Sequence, residues 1–386
     1  MKNIFSNQWI YGKMLLYISI AVCFSLIAYY HLSSGFSMSS DSERLSRWAD
    51  DLIKLNFNFY QFFSIDKINI RPHLLFFSVP VLLIALCKVI FVNEWQFAFL
   101  MFNLSLVFFS LIIFVKCLLL IKVRPVLISF ALPVILISVD ILIWPKFILT
   151  DMIYAFLTLI ATYFIIKGIT KNKAYYFYLF LIISLLFTTR PSSFPIIFAI
   201  AFFILISKYQ IVFKPKMILL LLIAAFVSIP FIYSLTYFFI EFNLSENVML
   251  NFITNMVKDG MIIHDRPETW VKEPKNFIDI MLIFFLRLIN FFNPYASTFS
   301  ITHITLNAIQ LVLILFSVFI WSFFGGYIKI YDKVFLFILL LSFSVAAFHS
   351  FILIDYDWRY RFPIIMPLIL LFPISLEIVV KKFYND

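Results

Sequence analysis

Long apolar runs recur along the whole chain, and polar positions fall mostly in the gaps between them. A stretch such as Pro125–Trp144, PVLISFALPVILISVDILIW, has almost no polar face, which a helix of a soluble protein would need. The runs predict ten membrane spans, at about 14–32, 96–121, 125–143, 152–167, 174–189, 194–207, 217–240, 301–322, 334–354 and 362–380. The run at 73–91 is an eleventh candidate. The short alternating strands of a membrane β-barrel do not occur in the pattern. The first run is too long for a signal-peptide core, and the YYHLSSG that follows it is a poor cleavage site, so it reads as a retained helix.

Residues 39–57, SSDSERLSRWADDLIKLNF, break this pattern. Seven of the fourteen residues from Asp41 to Lys54 are charged, against 13% of the chain. Leu45, Trp48, Ala49 and Leu52 share one helical face, and Arg44, Arg47, Asp51 and Lys54 lie opposite. The pattern predicts an amphipathic helix lying on the membrane surface. Ser40 and Glu43 have the spacing of a capping box, which starts the helix at Asp41. Arg47–Asp51 and Asp50–Lys54 are expected i,i+4 pairs, so most of this charge reads as a solvated helix face. Residues 277–292, FIDIMLIFFLRLINFF, predict a second surface helix, interrupted by Asp279, Arg287 and Asn290.

Composition strengthens the membrane reading: 63% of residues are hydrophobic and mean hydropathy is +1.03. A net charge of +10 would suggest a nucleic-acid partner in a soluble protein, but here its placement matters more. If 73–91 does not cross, one side of the membrane carries fourteen lysines and arginines against three acids, among them Lys122, Arg124, Lys333 and Lys381. The positive-inside rule then makes that side, with both termini, cytoplasmic. It favours 73–91 as a juxtamembrane or re-entrant segment over an ordinary span. The chain reads as a single membrane domain, 1–386, with two long outer loops at 33–95 and 241–300. Trp48, Trp95, Trp144, Trp270 and Trp358 fall where interfacial anchors belong. The expected setting is a bacterial inner membrane, with the active site facing outward.

Cys23, Cys87 and Cys117 lie in apolar runs and have no metal-binding or disulfide spacing. The five histidines are scattered, so no obligatory metal or other cofactor is expected. No glycine-rich phosphate loop is visible among only six glycines. The polar residues crowd one face instead, with Asp140 and Lys116 as exceptions. Asp41 follows the first span. Asp151 stands in WPKFILTDMIY, Arg190 in TTRPSS, and Asp355, Asp357, Arg359 and Arg361 in LIDYDWRYRFPIIMP. Ionisable groups at membrane depth are costly and default to functional candidates. For Arg359 and Arg361, snorkelling to the interface is the alternative. Carboxylates at a water boundary beside arginines near the headgroups suit a sugar carried on a polyprenyl phosphate. The arginines would bind the phosphate, and a carboxylate would take the proton of an attacking hydroxyl.

These segments, in this order, resemble the polytopic GT-C glycosyltransferases, especially the dolichyl-phosphate-mannose–protein mannosyltransferase family and its bacterial relatives such as the aminoarabinose transferases. An acid-rich outer-loop motif appears here as DSE (41–43), with Ser42 in place of the usual second acid. A juxtamembrane helix start appears as RPHL (71–74), LTD carries Asp151, and WRYRFPIIMP leads into the last span. The resemblance implies inverting transfer from a polyprenyl-phosphate sugar to a glycan, lipid or protein acceptor. It implies Asp41 as base, with Asp151 also in the catalytic pair. Glu43, His73, Arg190, Asp357, Arg359 and Arg361 are the substrate-binding candidates, and Arg190 or Arg361 is expected to be removable without unfolding. Two rivals remain at this level. An O-antigen polymerase- or ligase-like protein would also use lipid-linked glycans but would not need Asp41. A transporter would want ionisable groups near the midplane and paired broken helices.

Overall fold

The structure, a computed structural model, describes residues 2–66, 69–70, 72–171, 175–208, 277–296, 299–326, 328–351 and 358–384. Among them, six helices are long and apolar enough to cross a membrane. The bent pair Pro125–Leu136 and Val139–Lys146 makes a seventh if counted as one span, and Tyr176–Phe187 and Pro191–Ser207 are shorter apolar helices. The protein is all-α and built for a membrane. The exceptions among the described residues are a small hairpin, Ser64–Asp66 with Asn69–Ile70, and one isolated bridge. The expected span at 217–240 and most of the loop 241–300 lie outside the described residues.

The helices are α1 (Lys2–Ser34), α2 (Ser40–Lys54), α3 (Phe59–Phe63), α4 (Pro72–Leu75), α5 (Ser78–Phe91), α6 (Trp95–Leu120), α7 (Pro125–Leu136) and α8 (Val139–Ile143). They continue with α9 (Asp151–Lys171), α10 (Tyr176–Phe187), α11 (Phe194–Lys208), α12 (Phe277–Phe291), α13 (Ile301–Phe324), α14 (Lys329–Phe351) and α15 (Phe362–Tyr384).

Helices α1 and α7–α8 run side by side in the same direction. Three contacts set their register. Gly12 lets the backbones approach, since a Cβ there would meet Val126 Cγ2 at 3.2 Å. Cys23 Sγ donates to the Leu132 carbonyl at 3.8 Å, and His31 Nε2 lies 3.3 Å from the Ile141 carbonyl. Helix α7 ends at Leu136 and α8 departs at 60°. Pro133, which lacks an N–H, weakens the turn before this bend, and Asp140 sits just beyond it, fully buried.

The two ends of the bundle are chemically distinct. At one end, Arg124 at the start of α7 meets Glu377 near the end of α15: its backbone N–H and its Nε donate to Glu377 Oε2 at 3.0 and 3.1 Å. Lys381 Nζ donates to Tyr331 Oη at 2.7 Å beside them. Trp321 Nε1 and the N–H of Gly326, at φ +93°, both donate to Asp332 and close the turn between α13 and α14. The opposite end gathers the last turn of α1, the starts of α2, α9, α11 and α15, and the ends of α10 and α14.

Helix α2 forms as its apolar spacing predicts, with Leu45, Ala49 and Leu52 at most 2% exposed. Burying each leucine contributes roughly 1.5–3 kcal/mol. The cap differs from the expected one. Ser39, not Ser40, is the N-cap. Its hydroxyl accepts from the Ser42 N–H at 3.2 Å, and its own N–H donates to Ser42 Oγ at 3.1 Å. A serine thus does the reciprocal work expected of Glu43, which is exposed. The expected i,i+4 pairs are also replaced: Lys54 meets Asp51 at 3.8 Å, and Asp50 Oδ1 accepts from Lys88 Nζ on α5 at 2.7 Å.

That last contact bears on residues 73–91. Near one end of α5, the Val79 N–H donates to the Thr188 carbonyl after α10, at 3.2 Å. Near the other, Lys88 also donates to the Ser46 carbonyl of α2 at 3.1 Å. The nine residue steps from Val79 to Lys88 rise only about 14 Å, far less than the bilayer core of about 30 Å. Length and composition alone would join Ser78–Leu120 into one long apolar helix. The chain instead turns at Val92, φ +40°, and α6 packs back against α5. Helix α5 therefore stays at one end of the bundle.

Two further expectations are corrected. Trp144 is buried rather than an exposed anchor, its Nε1 donating to Asp140 Oδ1 at 3.2 Å. Helix α12 forms where expected, but it is more than a surface helix: Phe284, Arg287 and Phe291 are buried, and it packs on α14.

Candidate active site

A backbone zipper brings two distant segments together. The Ser37 N–H donates to the Lys146 carbonyl at 2.9 Å, and the Ile148 N–H donates to the Ser37 carbonyl at 3.4 Å. Gly35, at φ +70°, turns the chain out of α1 so that Ser37 can reach. Asn103 on α6 clamps the other segment, its Nδ2 donating to the carbonyls of Pro145 and Phe147 at 2.9 and 3.2 Å. Four residues after Ser37 comes Asp41, and three after Ile148 comes Asp151. Both acids occupy the first turn of a helix, where the dipole favours a negative charge.

Each acid holds an arginine. Asp41 accepts from Arg44 Nη2 at 2.8 Å and from Arg359 Nη2 at 2.9 Å, one guanidinium on each oxygen. Asp151 Oδ1 accepts from Arg190 Nη1, and both side chains are more than 90% buried. Arg190 is placed by the sharp turn that Pro191 makes between α10 and α11. Tyr154, one turn along from Asp151, donates its hydroxyl to the Ser192 carbonyl at 2.6 Å and ties that turn to α9. The Arg190 and Arg359 guanidiniums both lie over the Tyr360 ring, at 5.1 and 5.5 Å from its centre. His349 stacks on the same ring at 4.2 Å and 6°.

These groups, Tyr154 apart, line one cavity of about 340 Å³. Its polar wall is Asp41, Arg44, Asp151, Arg190, Ser192, His349 and Arg359, and its apolar wall includes Leu45, Phe77, Leu149, Phe194 and Phe348. The cavity holds one more guanidinium than carboxylate. It is amphiphilic, with an excess positive charge beside aromatic and aliphatic surface.

Of the residues singled out from the sequence, Asp41, Asp151, Arg190 and Arg359 meet here. Arg361 does not line this cavity. Its Nε donates to Asp140 Oδ2 at 3.2 Å and its Nη1 to the Asn293 carbonyl at 3.1 Å, joining α8, the segment after α12 and α15. Glu43 does not line it either. Asp357 and the side chain of His73 lie outside the described residues. Sequence reasoning missed Tyr154, Tyr360, Ser192 and His349, and it read Arg44 as a solvated face residue. Ser192 and Tyr360 lie inside segments already singled out for their arginines. His349 is a polar residue at the end of an apolar run, a weak signal. Among the described residues, no group of three or more His, Cys, Asp or Glu side chains is placed to hold a metal ion. Compared with protein-family models, curated proteins and solved structures, the chain matches none of them.

Proposed function

We propose that the protein is a glycosyltransferase of the GT-C kind, moving a sugar from a polyprenyl-phosphate carrier to a glycan, lipid or protein acceptor at the outer face of a membrane. The observation that carries this reading is the convergence of Asp41, Asp151, Arg190 and Arg359, from four separate segments, on one amphiphilic cavity at one end of the bundle. About ten spans, with both termini and the lysine-rich end in the cytoplasm, complete the proposed topology.

In the proposed step the oxygen of an acceptor hydroxyl bonds to the anomeric carbon. The bond from that carbon to the phosphate oxygen breaks, and lipid phosphate leaves with its electron pair. The acceptor proton passes to the Asp41 carboxylate. Both Asp41 oxygens already accept from arginines, but a carboxylate has about four acceptor positions, so room for the hydroxyl remains. The arginines supply the counter-charge that the leaving phosphate needs, and Arg359 joins the two roles because it touches Asp41 directly. The apolar wall suits the first isoprene units of the carrier.

The test is single-turnover transfer by the purified protein with a lipid-linked donor. Asp41→Asn keeps the shape but removes basicity, so turnover should fall by about two to four orders of magnitude while the donor still binds. A rate within about threefold of wild type would reduce Asp41 to a helix-start acid.

A further inference from the structure

Among the uncharged side chains of the cavity wall, two polar atoms have no hydrogen-bond partner: Ser192 Oγ and His349 Nε2. Ser192 is 8% exposed and His349 3%. Buried polar groups without partners are rare, because each forfeits the hydrogen bonds it would make to water. Neither atom is idle because its residue lacks a fixed place. The Ser192 carbonyl is held by Tyr154, and the His349 ring is stacked on Tyr360 and lies parallel to Phe291 at 6.2 Å. The side chains are positioned, and their hydrogen-bonding atoms are buried and unpaired in the wall to which Arg190 and Arg359 also belong.

The chemistry of the two atoms narrows the ligand group they suit. Guanidinium groups only donate, which fits a phosphate. A serine hydroxyl donates and accepts, and an imidazole nitrogen does one or the other according to tautomer. A sugar hydroxyl is likewise both donor and acceptor. We propose that Ser192 Oγ and His349 Nε2 read the hydroxyl groups of the transferred sugar, next to the arginines that take the phosphate, and so set which sugar the site accepts. This rests on the lipid-phosphate donor reading above. It divides the polar wall into a charge-binding part and a hydroxyl-reading part. Tyr360, covered by His349 and the arginines, serves as the spacer between them.

The test compares binding of polyprenyl phosphate alone with polyprenyl phosphate carrying mannose, glucose, N-acetylglucosamine or 4-amino-4-deoxyarabinose, using the full chain in nanodiscs. The wild type should bind at least one sugar-bearing form more tightly than the bare lipid phosphate. Ser192→Ala and His349→Phe should each cost roughly three- to tenfold for that form, the weight of one neutral hydrogen bond, and leave the bare lipid phosphate unchanged. Ser192→Ala removes an atom with no protein partner, so it keeps the test open even if His349→Phe fails to fold. The inference is overturned, with the lipid-phosphate site intact, if the wild type binds bare and sugar-bearing forms equally, or if Ser192→Ala and any folded His349→Phe protein keep the wild-type ratio. If the wild type binds no lipid phosphate of either kind, the donor reading falls and takes this inference with it.

Discussion

At the residue scale, the decisive feature is that the arginines of the cavity are held in internal ion pairs. Arg190 is the clearest case. As a surface arginine it would be expendable to the fold, which is the expectation its sequence context gives. The structure buries it against Asp151, and removing one partner of such a pair strands the other charge. Arg190→Ala should therefore destabilise the protein by about 3–5 kcal/mol, and Asp151→Leu combined with Arg190→Met should recover much of that loss. Thermal or denaturant unfolding in detergent would check both; an Arg190→Ala protein as stable as wild type would mean that water reaches the pair. The residues that carry charge were legible in the sequence because ions are rare in so apolar a chain. Their pairing was not, because Asp151 and Arg190, or Asp41 and Arg359, are joined only by the fold. Asp140 shows the limit well: it looked like an exception deep in a span, yet it is where Arg361 goes.

At the scale of elements, the helices were legible wherever spacing alone decides them, and less so where a side chain makes the choice. The face of α2 that carries Leu45, Ala49 and Leu52 follows the 3.6-residue period and is buried as expected. Its start was misplaced by one residue because two serines precede Asp41 and either fits the cap. The observed Ser39–Ser42 box makes a sharp prediction. Ser39→Ala should cost about 1 kcal/mol and raise hydrogen exchange in the first turn of α2. Glu43→Ala should change neither, and a loss on changing Glu43 equal to that for Ser39 would restore the expected box. The burial of Arg287 in α12 was not legible because α12 packs on α14, more than forty residues further along the chain.

At the scale of the whole molecule, the charge asymmetry of the sequence makes a prediction of sidedness. Single cysteines at Ser34 and Asn93, in a Cys87→Ser background, should be labelled by an impermeant maleimide from the same side of the membrane. Cysteines at Lys122 and Lys333 should be labelled only from the other side. All four positions are exposed, so accessibility reports sidedness. Labelling of Asn93 and Ser34 from opposite sides would make α5 a true crossing. The zipper between Ser37 and residues 146–148 has a consequence for how such a site can change over generations. Its bonds use amide hydrogens and carbonyls alone, so most substitutions along both strands of the zipper leave it closed. The spacing of the two carboxylates is thus inherited through the main chain, whichever side chains the two zipped segments carry.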